Sequence, residues 1–345
     1  MHPAADPTHY DFSGITSLGR QVSPGVGSGS GAGPQVPAPA SSGAAGSRSA
    51  GSRSAGAEAA GSRSAGSERV GSGLAGSGSA GAGVAGSGLG NRAGRSVHHV
   101  EHVMGTVVSI DIADDLPAST LTAMIEDVCG WLHEVDRRFS TYRDDSEVSR
   151  LRRREIEVAD CSPDLRHVLE ACADLWRATD GYFDAYAGGP LDPSGYVKGW
   201  SVEVASARLA KAGSTNHCVN AGGDIRARGL SATGDPWRVG IRHPWEADKL
   251  SWVLSVTDGA VATSGTYERG HHVFNPRTGG PANGLRSVTV VGPDLTLADA
   301  YATAALAMGE AGLAWLAKLV PDGYESAAVT DDGRAFSSAG LPAAV

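Results

Sequence analysis

A long tract dominated by glycine, serine and alanine constrains the fold of this chain more than any other feature. It runs from about Gly14 to Gly94 and includes GSRSAG-like units. Because the tract has almost no large apolar side chains, burial cannot offset the entropy lost on folding, and we expect a flexible coil. We therefore predict a disordered low-complexity tail over residues 1–97. The folded domain over residues 98–345 then has 248 residues, which is enough for a substantial core.

Charge and hydropathy exclude several function classes. The formal net charge of −9 lacks the basic footprint of a nucleic-acid-binding protein. No stretch approaches the roughly 20 apolar residues of a membrane span, and the first residues do not resemble a signal peptide. The four cysteines form no CxxC pair, and Cys129 and Cys172 fall on apolar faces of predicted helices, where we expect core residues. We expect no nucleic-acid partner, no transmembrane segment and a cytoplasmic location.

Periodicity predicts intermixed helices and strands. Apolar residues at three- and four-residue steps predict a helix over 119–139, and Ser162-Pro163 should open the next one. The alternating stretch 102–112 is typical of a strand in which Gly105 marks a bulge or a close backbone approach. CVNAGGD, ending at Asp224, predicts a strand running into a Gly-Gly turn. The fold class is therefore α+β, with mainly antiparallel sheets and packed helices.

Asp299 and Thr303 stand four residues apart in LADAYATAALAMG, which is typical of a buried helix. This spacing places both side chains on one helix face, one turn apart. An anionic oxygen beside a neutral one suits a hard cation such as Mg²⁺. Alternatively, Asp299 caps the helix and Thr303 bonds back to a backbone carbonyl.

Lys198 falls in the first turn of a helix predicted from DPSGYVKGW onward. The helix dipole is positive at that end, so a cation there is mildly unfavourable unless an anion lies nearby. A solvated lysine is the alternative interpretation.

The sequence lacks GxGxxG after any predicted strand, and it lacks GxxxxGK[ST] and GxSxG. It contains instead an ordered series of polar loops: MGT, FSTYRDDSEVSRL, GYFD, DPSGYVKGW, NAGGD, ATSG, HHVFNPRTG and LADAYATA. In order and spacing this series resembles the ApbE family of FAD:protein FMN transferases over about residues 100–335. The resemblance implies an ApbE-like fold that uses FAD and Mg²⁺, attaches FMN to a Thr or Ser of a target flavoprotein and releases AMP.

The resemblance also assigns residues to FAD. Met104 matches the MGT methionine beside the flavin, and Tyr142 matches the aromatic of the STY motif. The GxFD loop that lines the FAD site is matched by Tyr182, Phe183 and Asp184.

The remaining motifs concern the metal and the phosphates. Asp192 and Lys198 match the Asp and Lys of DxxGxxKG, and Gly195 matches the position whose carbonyl ligates the metal. Asp299 and Thr303 match the metal ligands of DAxxTA.

The HxxNP segment supplies the last match, because His272 corresponds to the family histidine near the adenine. We take Asp192, which could assist deprotonation of the target hydroxyl, and His272 as the catalytic candidates. Two other functions stay open: a Mg²⁺-dependent FAD pyrophosphatase that yields FMN and AMP, and a non-catalytic flavin-binding protein. Family members are often exported, in contrast to the expected cytoplasmic location.

Overall fold

The computed structural model of the chain describes residues 96–266 and 273–343. Residues 1–95 of the predicted tail and the catalytic candidate His272 lie outside the described residues. The helices are α1 Ala118–Phe139, α2 Glu147–Arg152, α3 Pro163–Ala178, α4 Ser194–Lys211, α5 Leu295–Met308 and α6 Ala311–Leu316, with 3-10 turns at Val158–Asp160 and Ala317–Asp322. The strands are β1 Val97–Val103, β2 Thr106–Ile112, β3 His217–Ala221, β4 Asp224–Arg228, β5 Trp237–Arg242, β6 Leu250–Val256, β7 Gly259–Gly265, β8 Phe274–Asn275, β9 Gly280–Pro281, β10 Leu285–Gly292, β11 Glu325–Thr330 and β12 Ala335–Ser337.

One large sheet organises the part of the chain that the structure describes. Its eight strands lie in the order β1-β2-β3-β4-β7-β10-β11-β12, and every neighbouring pair is antiparallel. The pairs β5–β6 and β8–β9 form two further hairpins. The predicted α+β class with antiparallel sheets is confirmed. Among the helices described, none is long and apolar enough to cross a bilayer.

The first hairpin corrects the prediction of a bulge at Gly105. Val103 pairs with Thr106, so Met104 and Gly105 are the two central residues of a tight turn. Both have positive φ, 55° at Met104 and 67° at Gly105, as a type I′ hairpin turn requires. The predicted single strand is therefore two strands, because a bulge and a turn leave the same local glycine signal.

The two faces of the sheet are covered differently. On one face, buried sheet residues such as Ile110 and Val288 pack with apolar residues of α1, α4 and α5, for example Val128 and Ala302. On the other face, the β5–β6 hairpin covers side chains of β3, β4 and β7. A third apolar cluster joins α3 to the first turns of α4 and to α5. The start of α4 and the middle of α5 therefore lie where two cores meet.

A buried histidine links α4 to the sheet. His217, at the start of β3, is fully buried, with Nε2 2.9 Å from Ser206 Oγ and Nδ1 3.0 Å from Ser214 Oγ. The Ser214 hydroxyl donates to Asp114 and the Ser206 hydroxyl accepts from Arg228. These bonds assign the hydrogen to Nδ1 and leave Nε2 as an acceptor, so the network is satisfied by the neutral ring.

We predict that His217 makes stability fall with acid. Burial and the Arg228 charge lower its pKa to about 4 from the ordinary 6.5. Between these values the unfolded chain binds a proton that the folded chain does not, so the free energy of unfolding should fall by up to about 3 kcal/mol as pH drops from 6.5 to 4. Urea denaturation at pH 7, 6, 5 and 4 measures this fall. It should be smaller in His217→Asn and unchanged in His98→Gln, an exposed control; an equal fall in His217→Asn contradicts the prediction.

Candidate active site

Asp299 lies inside α5 rather than at its start. The helix is capped by Asp294, whose Oδ1 accepts from the Leu297 amide at 3.0 Å. Asp299 is only 2% exposed. The alternative of Asp299 as a cap is therefore wrong, and the chain holds a carboxylate in its interior, which requires compensating partners.

Lys198 and Asp224 are two of these neighbours. The Lys198 ammonium pairs with Asp224 and lies 3.9 Å from Asp299 Oδ1. Asp224 is fully buried at the start of β4. Lys198 lies in the second turn of α4 and not in the predicted first turn, because the helix begins at Ser194. The anions beside it in this structure are carboxylates. One ammonium group thus faces two buried carboxylates.

The backbone of α4 also binds Asp299. The Gly199 amide donates to Asp299 Oδ2 at 3.0 Å. In a regular α-helix this amide would donate its hydrogen bond to the carbonyl of Gly195. Asp299 therefore accepts from an N–H that the helix itself would otherwise use. The approach depends on glycine, because a Cβ at Gly199 would lie 2.7 Å from the Leu295 oxygen.

Thr303 lies on α5 one turn after Asp299, between Gly195 of α4 and the strand β7. Its Oγ1 is 3.1 Å from Ser264 Oγ. A Cβ at Gly195 would lie 3.8 Å from Thr303 Cγ2 and 3.5 Å from Phe183. The structure therefore brings together Gly195, Lys198, Asp299 and Thr303, four of the residues that the resemblance assigns to the metal and the phosphates.

The donors at this seam between α4 and α5 fit a hard divalent cation. A buried carboxylate and a threonine hydroxyl supply oxygen, Gly195 lies beside the threonine, and no sulfur or imidazole is among these residues. Oxygen donors of this kind are the ligands that Mg²⁺ prefers.

Asp224, Ser264 and Gly199 are site residues that the sequence reasoning missed. The sequence predicts the Gly-Gly turn before Asp224, and both glycines of this turn have positive φ, 60° and 105°. Ser264 is the penultimate residue of β7, a strand of small residues. In the sequence, each of these two residues is visible only as a polar residue near the end of a predicted strand. That β4 and β7 both lie next to α5 depends on the order of the strands in the sheet.

The MGT turn lies beside the NAGGD turn. A Cβ at Gly222 would lie 2.5 Å from Thr106 Oγ1, and the Gly222 amide donates to the Val107 carbonyl at 3.1 Å. Met104 packs against both apolar clusters that meet at α4 and α5. This predicted flavin-side residue therefore packs where the two clusters meet, as α4 and α5 do.

In the GYFD loop, Phe183 is buried, whereas Tyr182 and Asp184 are half-buried. Phe183 is 3% exposed and packs in the core, so it supports Gly195 from beneath. Asp184 is half-buried, and its Oδ1 accepts from the Tyr186 amide at 2.8 Å. The Tyr182 ring is half-buried, with the Arg277 guanidinium 4.9 Å from its centre.

The loops that carry Asp192 and Tyr142 are joined by Arg152, which donates to the carbonyls of Leu191 and Thr141. Asp192 is exposed, and its Oδ1 accepts from the Ser194 amide at 3.0 Å and from the Ser194 hydroxyl. Tyr142 is 96% exposed. No contact described for Asp192 or Tyr142 reaches Asp299.

The segment after His272 approaches the GYFD loop. Arg277 in the β8–β9 turn donates to the Asp180 carbonyl at 3.1 Å. A Cβ at Gly188 would lie 3.9 Å from the Phe274 ring. The role of His272 stays a prediction.

Comparisons with known proteins agree with this architecture. The sequence model of the ApbE family matches residues 104–190 and 186–325, which confirms the resemblance. An FAD:protein FMN transferase of Vibrio cholerae is 27% identical over 278 residues, covering 64% of this chain and 83% of that protein. The solved flavin transferase ApbE from Vibrio cholerae has a TM-score of 0.61 at 27% identity, covering 71% of this chain and 97% of that one. An ApbE protein structure from Thermotoga maritima gives 0.64 at 22% identity with the same coverage, and supports the fold.

We predict that Gly199→Ala separates the two helices. The added methyl would meet the Leu295 oxygen at 2.7 Å and Asp299 Cβ at 2.8 Å, and such overpacking costs about 1–3 kcal/mol. Gly130→Ala is the control, because Gly130 lies on the exposed face of α1 with open space around it. That change should stabilise by about 0.5–1 kcal/mol. Thermal and urea denaturation compare the two, and equal effects would contradict close packing at Gly199.

Proposed function

This chain belongs to the ApbE family, and we propose on that premise that it transfers FMN from FAD to a Thr or Ser hydroxyl of a target flavoprotein. The observation that carries the proposal is the seam between α4 and α5, where Lys198, Asp224, Asp299 and Thr303 converge. The relative from Vibrio cholerae is named an FAD:protein FMN transferase, and the solved structure is named a flavin transferase.

The reaction balances as a phosphoryl transfer. The bond between the FMN phosphorus and the bridging oxygen of FAD breaks, and AMP leaves with that oxygen. A new ester bond joins the same phosphorus to the target hydroxyl oxygen, and the hydroxyl proton passes to a base. Catalysis of such a step consists mainly of positioning and of stabilising negative charge on phosphoryl oxygens.

Mg²⁺ would be held by the Asp299 carboxylate, the Thr303 hydroxyl and the Gly195 carbonyl. When bound, it stabilises the charge on the pyrophosphate oxygens. The Gly199 amide fixes the Asp299 carboxylate through Oδ2. Ser264 fixes the Thr303 hydroxyl.

Lys198 would hold a phosphate oxygen of FAD. Its ammonium has three hydrogens, so it can keep its contact with Asp224 and also donate to substrate. The side chain is 27% exposed, which leaves it reachable from outside. The two buried carboxylates keep the ammonium in place before FAD arrives.

The flavin would lie toward the loops that carry Met104, Tyr142, Tyr182 and Asp184. The Tyr142 ring offers its full face for stacking. One side of Tyr182 is taken by Arg277, so a flavin would use the other side. Phe183 acts indirectly, since it packs beneath Gly195.

Asp192 and His272 are the candidate proton acceptors. Asp192 is exposed at the entry to α4, and both hydrogen bonds described for its side chain end on Oδ1. The exposed position suits a group that meets a protein substrate. With water in place of the target hydroxyl the same site would be an FAD pyrophosphatase, and without turnover it would be a flavin-binding protein. The cytoplasmic location stays part of the proposal.

We predict that Asp299→Asn loses Mg²⁺-dependent transfer. Asn keeps the volume and an acceptor for Gly199 but removes the negative charge that a cation requires, so activity should fall at least about 100-fold. The assay combines FAD, Mg²⁺ and an FMN-accepting domain, and it measures covalent flavin fluorescence on the acceptor and AMP release. Asp174→Ala, an exposed helical acid, is the control.

The outcomes separate the three functions. FMN and AMP without labelling of any acceptor would indicate the pyrophosphatase, and FAD binding without AMP would indicate the non-catalytic protein. An acceptor in which the attachment Thr is replaced by Ala should stay unlabelled. An unchanged response of Asp299→Asn to Mg²⁺ contradicts the metal assignment.

We predict that Tyr142→Ala raises the KM for FAD about five- to tenfold, the value of one stacked aromatic pair, with little change in kcat. Because the ring is 96% exposed, the free energy of unfolding should change by less than about 0.5 kcal/mol. Tyr142→Phe should behave as the wild type, since it keeps the ring. Steady-state kinetics at saturating acceptor, with denaturation as the control, tests this. An unchanged KM in Tyr142→Ala would place the flavin elsewhere.

A further inference from the structure

A second cluster of metal-ligating side chains lies away from the candidate active site, between β1 and α1. On β1, an edge strand of the sheet, His99 and Glu101 alternate onto the same face. On α1, Cys129 and His133 stand one turn apart. The strand face and the helix face meet, so the four side chains converge.

The contact distances within this cluster are short. Nε2 of His99 lies 3.2 Å from Glu101 Oε2 and 3.4 Å from Cys129 Sγ. The ligand atoms of His99, Glu101 and Cys129 all lie within 4.8 Å of one another. His133 Nε2 lies 3.0 Å from the other carboxylate oxygen of Glu101.

This arrangement contains more groups than an imidazole–carboxylate hydrogen bond requires. Nε2 of His99 carries at most one hydrogen, yet a carboxylate oxygen and a thiol sulfur both approach it. Ligands around tetrahedral zinc, at 2.0–2.3 Å from the ion, lie about 3.3–3.7 Å from one another. The nitrogen–oxygen and nitrogen–sulfur separations are therefore close to those that a common ion would impose, and the oxygen and sulfur lie within 4.8 Å of each other.

We propose that His99, Glu101 and Cys129 bind Zn²⁺, with His133 holding the Glu101 carboxylate in position. Imidazole and thiolate ligands suit zinc and disfavour Mg²⁺. The hydrogen bond from a second histidine to a ligating carboxylate is the outer support that such sites use. The bound ion would fasten the edge strand β1 to α1.

A reactive thiol is the competing interpretation of Cys129. A nucleophilic thiol is activated by neighbouring positive charge, whereas Cys129 lies beside the Glu101 carboxylate. An imidazole, a carboxylate and a thiol are instead side chains of the types that bind zinc.

The side chains are accessible to an ion from solvent. His99 is 35% exposed and Glu101 25% exposed. The other three cysteines are buried, so Cys129 is the thiol within reach of added metal.

The test uses the full chain without an affinity tag, stripped with a chelator. Zn²⁺ is titrated against a chromophoric competitor, and Co²⁺ is added separately to record its absorption. We expect one Zn²⁺ per chain, and a Co²⁺ spectrum with tetrahedral d–d bands and a thiolate charge-transfer band. His99→Gln and Cys129→Ser should weaken Zn²⁺ binding at least about 100-fold, and His133→Gln about tenfold.

Two controls separate this site from others. His98→Gln changes the neighbouring histidine on the opposite face of β1, where it pairs with Asp111 at 2.7 Å, and it should bind as the wild type. Asp299→Asn should also keep the Zn²⁺, so failure of the flavin site and failure of this one are distinguishable. Wild-type affinity in both His99→Gln and Cys129→Ser overturns the proposal. So does a wild-type Co²⁺ spectrum without the charge-transfer band, which requires no variant to fold.

Discussion

Where α4 meets α5, Gly199 brings the backbone of one helix within 3.0 Å of a carboxylate on the other. The alanines of α5 leave room for this approach, and a single methyl at Gly199 would block it. The positions of Lys198 and Gly195 in the candidate site follow from this contact. Lys198 precedes Gly199 on the same helix and reaches Asp299, and Gly195 lies a turn earlier beside Thr303.

This contact also explains why two acids can be buried here. A lone carboxylate in the interior would be costly. Asp299 receives an amide hydrogen bond and lies near an ammonium, and Asp224 pairs with the same ammonium from the sheet side. Charges fixed in this way need little reorganisation when a cation and a phosphate arrive, which is the property that an electrostatic catalyst requires.

The features that could be predicted from the sequence are those set by local periodicity. Asp299 and Thr303 share a helix face because four residues make about one turn, and the α+β class follows from alternating and helical patterns. Gly105 shows the limit of prediction from local pattern, since a glycine at this position is compatible with a bulge or with a turn. Only the pairing of Val103 with Thr106 in the structure identifies it as a turn residue. Asp224 and Ser264 could not be assigned, because β4 and β7 reach α5 through the order of the sheet.

Cys129 and Cys172 show the same distinction between local pattern and tertiary packing. Both occupy apolar faces of helices, and the sequence predicts a core residue for each. Cys172 is one, with 6% exposure, whereas the Cys129 thiol faces His99. The difference comes from β1, whose alternation presents a histidine and an acid to α1. The alternation of β1 and the helical period of α1 are both visible in the sequence. Only the packing of the strand face on the helix face brings their side chains together as a set of candidate ligands.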